Sequence, residues 1–412
     1  MIRLKGSALP TVLVVCILIC LLVLFAFMLF DMNSLLYSVY RSDRQRKEFL
    51  NSAFLLYCRD STLLASLSES VDYRLYADKE ASAVRIRTAL WGLYETVCIS
   101  SADDKYQSVR LLGKQQDCVQ QAALWMCNLD GSLSLAGNTR ITGPVFAPNG
   151  EVSYTQPDDE PFTGNTVSEY DMYPSERELP PVDSVYLERI NAFYEKMKLA
   201  AQVFPADQES VYNSFTGETV CFHCPPQTGS VFLRGNVILY GDEVTVSKET
   251  AMADVILVAR KVHVEDGFSG SMQIMASDTV ILGQGVRLHY PSGVCVNGNQ
   301  GKTYLEIGTG SVLDGYAVVE GNTEKEDILR IFPSYCQKEN ASLGGLLYVD
   351  GIASISGTVF GAAYIKECYY LPPNGSYAGT LYDVEIVRNE QAAYPFFFES
   401  SAFQRREMKS VD

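Results

Sequence analysis

VFLRGNVILYGDEVTV (231–246) and DVILVARKVHVEDGFSG (254–270) decide how this chain is read. Each sets short runs of branched or aromatic residues between turns built on Gly, Asn and Asp. The texture returns in 271–293, 294–315 and 316–322, so units beginning at Asp254, Ser271, Val294 and Tyr316 are spaced by 17, 23 and 22 residues. After a break containing IFPSYCQKENAS (331–342), further units follow at 345–365 and 377–386. Val255, Ile256, Leu257, Val258, Val262 and Val264 suit the inner face of short strands, whereas Gly267, Gly270, Gly283, Gly285 and Gly293 suit turns with unusual backbone angles. One such unit cannot hide its apolar interior, but stacking at about 4.8 Å builds a continuous core. A period near twenty residues therefore predicts a mainly β fold whose body is an irregular single-stranded β-helix, or solenoid. A β-sandwich would instead join its strands by hairpins and Greek-key crossings, without a recurring unit.

Ahead of this body, LPTVLVVCILICLLVLFAFMLF (9–30) is an uncharged run of 22 residues behind the basic head MIRLKGSA. At about 1.5 Å per residue it reaches about 33 Å, enough to cross the roughly 30 Å hydrocarbon core of a bilayer. It is longer than the h-region of a cleaved signal and lacks a small-residue cleavage site near Asp31, so it reads as a retained anchor. Arg3 and Lys5 favour a cytoplasmic N-terminus, against Arg41, Arg44, Arg46 and Lys47 on the other flank. The expectation is a single-pass inner-membrane protein with an extracytoplasmic body; a cell-surface or pilus-associated location is the alternative.

The expected organisation is a transmembrane anchor or pilin-like signal segment (1–30), a helical stalk (31–66), and a small α+β or β domain (67–122). A first β-helix portion (123–154), a loop and helix insertion (155–205), the main β-helix (206–390) and a C-terminal cap and tail (391–412) complete it. In the stalk, Leu35, Leu36, Val39 and Tyr40, then Phe49, Leu50, Phe54, Leu55 and Leu64, recur at helical intervals. SVYLERINAFYEKMKLAA (184–201), after Pro180 and Pro181, reads as a helix with Val185, Leu187, Ile190, Phe193 and Met197 near one face. YPFFFESSAF (394–403) is expected to cap the last unit, with the polar tail QRREMKSVD exposed.

The formal charge of −16 becomes −18 without Arg3 and Lys5, so the body repels phosphate backbones and nucleic acid is excluded as a partner. Of eleven Cys, two lie in the span and nine follow, an odd number too sparse for a disulfide-built scaffold. No Gly-rich phosphate loop, HExxH or GxSxG is present, and three His give little support to histidine chemistry.

Two resemblances extend this reading. KGSALPTVLVVCILI (5–19) resembles the N-terminus of type IV pilin-like proteins, with Lys5, the processing glycine Gly6 and a long apolar helix from Leu9. Thr11 stands where the usual glutamate would, which resembles minor or tip pilins and implies a minor component. LSLAGNTRITGPVFAPNG (133–150), LRGNVILYGDEVTV (233–246) and ARKVHVEDGF (259–268) resemble bactofilins and membrane-anchored envelope proteins of Bacteroidetes-type bacteria. That resemblance implies a noncatalytic structural module.

Cys221-Phe222-His223-Cys224 is the sharpest local motif. Cys221 and Cys224 suit a local disulfide or structural turn, and with His223 they are the only metal candidates, short of the four ligands of a closed zinc site. Asp266, Asp278, Asp314 and Glu320 at turns are the carboxylates a polysaccharide-degrading β-helix would need to gather, and their simpler role is to solvate turns. No catalytic residue and no cofactor are assigned. The function expected is a noncatalytic cell-envelope structural or assembly protein; the alternative is a carbohydrate-binding or polysaccharide-degrading enzyme. The partners expected are the lipid bilayer through residues 9–30, a second copy or envelope proteins, and polysaccharide.

Overall fold

A computed structural model describes residues 8–59, 70–76, 82–115, 122–157, 160–205, 208–298, 303–320, 332–373, 375–399 and 404–411. Gly6 lies outside them. The chain divides into two compact units, Met1–Leu56 with Val71–Ile86 and Ile99–Gln107, and Tyr57–Ser70 with Arg87–Cys98 and Ser108–Asp412. These boundaries cut across the small domain expected at 67–122.

The first unit is dominated by all but the last three residues of α1, Ala8–Arg59, a single helix of 52 residues that joins anchor and stalk without a break. It is the one described helix long and apolar enough to cross a membrane, and its apolar window is wholly unburied. Phe49, Leu50, Ala53 and Phe54 are buried, as the helical spacing predicts, whereas Leu55 is exposed. Val71–Arg74 pairs antiparallel with the strand that starts at Ala83. Arg46 bonds Asp103 at 2.9 Å, Arg85 bonds Asp72 at 2.9 Å and Asp104 at 3.2 Å, and the Tyr106 hydroxyl donates to Asp43.

In the second unit, strands pair in parallel with strands far along the sequence. Val244, Val262, Val280, Leu305 and Tyr335 are successive partners in one column. Leu239, Leu257, Ile274, Val294, Ala317 and Leu347 form a second, and Leu288, Leu313 and Leu343 part of a third. Every one of these side chains is buried, and each aliphatic one removed from water contributes roughly 1.5–3 kcal/mol.

The expected fold class needs correction. The body is not a single-stranded β-helix wound in chain order from 123 to 390, because strand order departs from sequence order. Leu124–Met126 pairs with Ala363–Ile365, Arg140–Thr142 with Glu385–Val387, and Leu133–Ala136 with Thr380–Tyr382. The last of these pairings, with Val152–Tyr154 beyond it, is a separate three-stranded sheet, and Gln404–Ser410 runs antiparallel to Gln107–Gln115. The physical reason is edge satisfaction: strands near the C-terminus expose N–H and C=O groups that residues 124–142 are free to pair. The chain is a mainly β fold with one N-terminal apolar helix.

The middle strands are buried on both faces, which explains the uninterrupted run VILVA (255–259). Part of their outer cover is α2, Ser184–Leu199, capped by Asp183, whose carboxylate accepts from the Tyr186 N–H at 2.9 Å. The buried stripe is Tyr186, Ile190 and Tyr194; Val185, expected inside, is 66% exposed. The tyrosines win because their hydroxyls find partners: Tyr194 accepts from the Gly92 N–H at 2.8 Å, while Tyr240 donates to the Tyr194 carbonyl at 3.0 Å. The turn at Trp91–Leu93 is held by Gln273, which donates to the Trp91 carbonyl at 2.9 Å and accepts from the Tyr316 hydroxyl at 2.8 Å.

The C-terminal stretch also differs from its expected role. Phe397 and Phe398 pack edge-on or tilted against Tyr348 and Tyr364 with ring centroids 4.7 and 4.9 Å apart, on the flank of the strands. The end expected to need a cap is already paired by residues 124–142. The tail is not free: Gln404–Ser410 is a strand and Arg405 is buried, stacked 4.4 Å from the Tyr57 ring centroid and 3.5 Å from Glu95. Burial raises the Glu95 pKa, and Arg405 opposes that shift.

Replacing Arg405 by Ala leaves Glu95 buried without its cation and is expected to cost about 3–5 kcal/mol, read by denaturant unfolding, with Glu95→Gln in the same chain restoring part of the loss. Gly345, at φ 132°, lies so close to the Gly315 carbonyl that a Cβ would overlap the oxygen. Gly345→Ala is expected to lower stability by about 1–3 kcal/mol, and an unchanged unfolding midpoint would refute the tight stacking of these corners.

Candidate functional site

The residues singled out in the sequence do not assemble. Val220–His223 is a strand, so successive side chains alternate between faces. Phe222 and Cys224 pack on the core side, Cys221 is buried near Tyr194 and Tyr240, and His223 is exposed. Three residues apart on a strand, the two Cys point to opposite faces, and both are free thiols. The expected local disulfide is thereby corrected. Burial pushes Cys221 up to about 11 and Cys224 up to about 12. Among the described residues no group of three His, Cys, Asp or Glu could hold a metal ion.

Asp266, Asp278 and Glu320 each have a separate partner. Asp266 accepts from the Gln284 N–H at 2.7 Å, and Asp278 pairs with Arg260 at 3.3 Å. Asp314 lines a cleft of about 340 Å³ with Tyr290, Arg406 and Glu407, and burial raises its pKa. Glu320 accepts from Asn297 at 2.7 Å and is in register with Asp350, which pairs with Lys366 at 2.7 Å. Burial, then the Asp350 charge, pushes Glu320 up to about 7.

A different place gathers functional groups. A cleft of about 470 Å³ is formed where the early and late strands meet. Thr358, Glu385 and Arg140 stand side by side on neighbouring parallel strands and turn outward, while Val359, Ile386 and Ile141 beside them are buried. Asn138 belongs to the turn between two of the early strands; its N–H donates to Asp383 Oδ1 at 2.7 Å and its Oδ1 accepts from Arg140 Nε at 3.3 Å. Glu339 and Asn340 line the cleft as well. Asn340 and Asp383 both adopt left-handed backbone, φ 56° and 53°, a conformation in which short polar side chains are tolerated.

Two tyrosines, Tyr370 and Tyr382, line the cleft. Tyr370 stacks on Tyr382 with centroids 4.3 Å apart and an interplanar angle of 16°, and Tyr377 stacks on Tyr370 at 5.9 Å and 22°. The Tyr382 hydroxyl donates to Glu160, and that bond raises its pKa, so the phenol stays protonated. Each ring rests on its neighbour, and Tyr382 is held as well by the Glu160 carboxylate. Tyrosine is abundant, with 25 residues, but nothing in the sequence marks these as a cluster. AGN (136–138) was legible as a turn, yet nothing local states that Asn138 meets Asp383.

Glu320 yields a pH dependence. Its folded pKa near 7 lies above the ordinary carboxylate value, so stability is highest below the unfolded pKa and falls as pH rises from about 4.5 to 7, where only the unfolded state has fully released the proton. The loss is at most about 3 kcal/mol. Denaturation across this range should therefore show a decline that Glu320→Gln flattens; an unaltered slope in the variant would disprove the assignment.

Comparison with protein-family models, curated proteins and solved structures gives no match. The resemblances to pilin-like proteins, bactofilins and Bacteroidetes-type envelope proteins find no support there, and the pilin-like and β-helical descriptions are set aside. What stands is an apolar N-terminal helix consistent with membrane anchoring, joined to a large β-rich body.

Proposed function

We propose that this chain is a membrane-anchored, noncatalytic envelope protein whose β-rich body lies outside the cytoplasm and takes part in assembly with other envelope components. The observation that carries this reading is α1, whose residues from Leu9 to Phe30 are all exposed to the surroundings at one end of an unbroken 52-residue helix. Burying that surface in hydrocarbon removes the cost of exposing it to water. At about 1.5 Å per residue the 12 helical residues from Asp31 to Ser42 carry the helix roughly 18 Å past the span before Asp43 and Arg46 bond Tyr106 and Asp103, as a short stalk would. The noncatalytic part of the reading is supported by the separate partners of Asp266, Asp278 and Glu320.

The test uses the full-length chain in intact cells. It should remain in the membrane after an alkaline carbonate wash, its body should be cut by protease added from the extracytoplasmic side, and amine-reactive crosslinking should yield covalent complexes containing the body. Release by carbonate, or protection of the body until the inner membrane is opened, would overturn the anchored orientation. Crosslinking that traps only monomer would overturn the assembly role.

A further inference from the structure

We propose that the cleft between the tyrosine stack and the Asn138–Asp383 turn binds a neutral pyranose oligosaccharide, a role that stands independently of the assembly reading. The cleft, about 470 Å³, falls within the roughly 300–1,000 Å³ of small-molecule sites. Its two walls differ in chemistry in the way a sugar ring does. A pyranose carries axial C–H bonds on its faces and hydroxyls around its rim. Tyr370 and Tyr382 both line the cleft and offer aromatic surface for the C–H face on the edges and faces that the rings do not turn to each other, with the pair held by its 4.3 Å stacking and by the bond from Tyr382 to Glu160.

The opposite requirement, for donors and acceptors at fixed spacing, is met by side chains on successive strands. Arg140 and Glu385 are in register, so a donor and an acceptor stand about 4.8 Å apart, and Asn138 is locked by its backbone bond to Asp383. Planar amide, carboxylate and guanidinium groups can each engage two neighbouring hydroxyls. Among the described residues that line the cleft, three carboxylates, Glu339, Asp383 and Glu385, against one cation, Arg140, disfavour polyanionic sugars such as uronates. Because the polar groups sit on strands and tight turns instead of long loops, little ordering is needed on binding.

The experiment is titration calorimetry of the full-length protein in detergent with cellohexaose, chitohexaose and oligogalacturonate. Saturable binding of a neutral hexaose with Kd of about 1 mM or tighter is expected, without comparable binding of the uronate. Tyr370→Ala should weaken it about tenfold, and Glu385→Gln, an exposed conservative change, about threefold or more, with unfolding midpoints recorded for both. Failure of both neutral hexaoses to bind at about 10 mM, equal binding of the uronate, or unchanged affinity in the correctly folded Glu385→Gln variant would overturn the proposal. Each of these results leaves the membrane and crosslinking measurements untouched, so the two readings fail separately.

Discussion

The parallel pairing of Ala363–Ile365 with Leu124–Met126 is the contact on which the body turns. A strand in the interior of a protein must have its N–H and C=O groups paired on both edges, and these two segments, more than two hundred residues apart, satisfy each other. Once they are joined, Arg140–Thr142 meets Glu385–Val387 and Leu133–Ala136 meets Thr380–Tyr382. The polar turn at Asn138 then falls beside Asp383, and the tyrosine-walled cleft exists as a consequence. Remove that one pairing and neither the cleft nor the separate three-stranded sheet has a reason to form.

A second constraint acts on the middle of the same unit. Its strands are buried on both faces, and the outer face carries polar groups that must also be paired. Gln273 is the clearest example, buried yet bonded to the Trp91 carbonyl, the Leu93 N–H and the Tyr316 hydroxyl. Tyr194 and Tyr240 solve the same problem with their hydroxyls, which is why α2 settles with its tyrosines inward and Val185 outward. The C-terminal Phe397 and Phe398 cover the neighbouring tyrosines, and Arg405 is held between Tyr57 and Glu95. Hydrophobic content alone would have placed these elements differently; hydrogen-bond satisfaction decided between otherwise similar faces.

Several features were legible from local pattern. The apolar run 9–30, the helical spacing of Phe49, Leu50 and Phe54, the helix following Pro180 and Pro181, and the short inward-facing runs of branched residues all follow from residue type and period. Order among the strands was not legible, because a parallel partner is chosen by tertiary packing and leaves no mark at the turn. The same holds for the CFHC motif. Its four-residue spacing suggested joint action, but strand alternation sends Cys221 and Cys224 to opposite faces.

By itself, then, the amino-acid order determined that one helix would be long and apolar, that the remainder would be mainly strands and turns, and that its interior would be built from Val, Leu and Ile. These properties depend on interactions within a few residues or on composition. Only the tertiary structure decided which strand neighbours which, which face of α2 is hidden, and that Asn138, Arg140, Tyr370, Tyr382 and Glu385 share one cleft. The physical reason is that backbone hydrogen bonds between distant strands carry no sequence signature: any extended segment offers the same donors and acceptors, and the partner is selected by how the whole core packs.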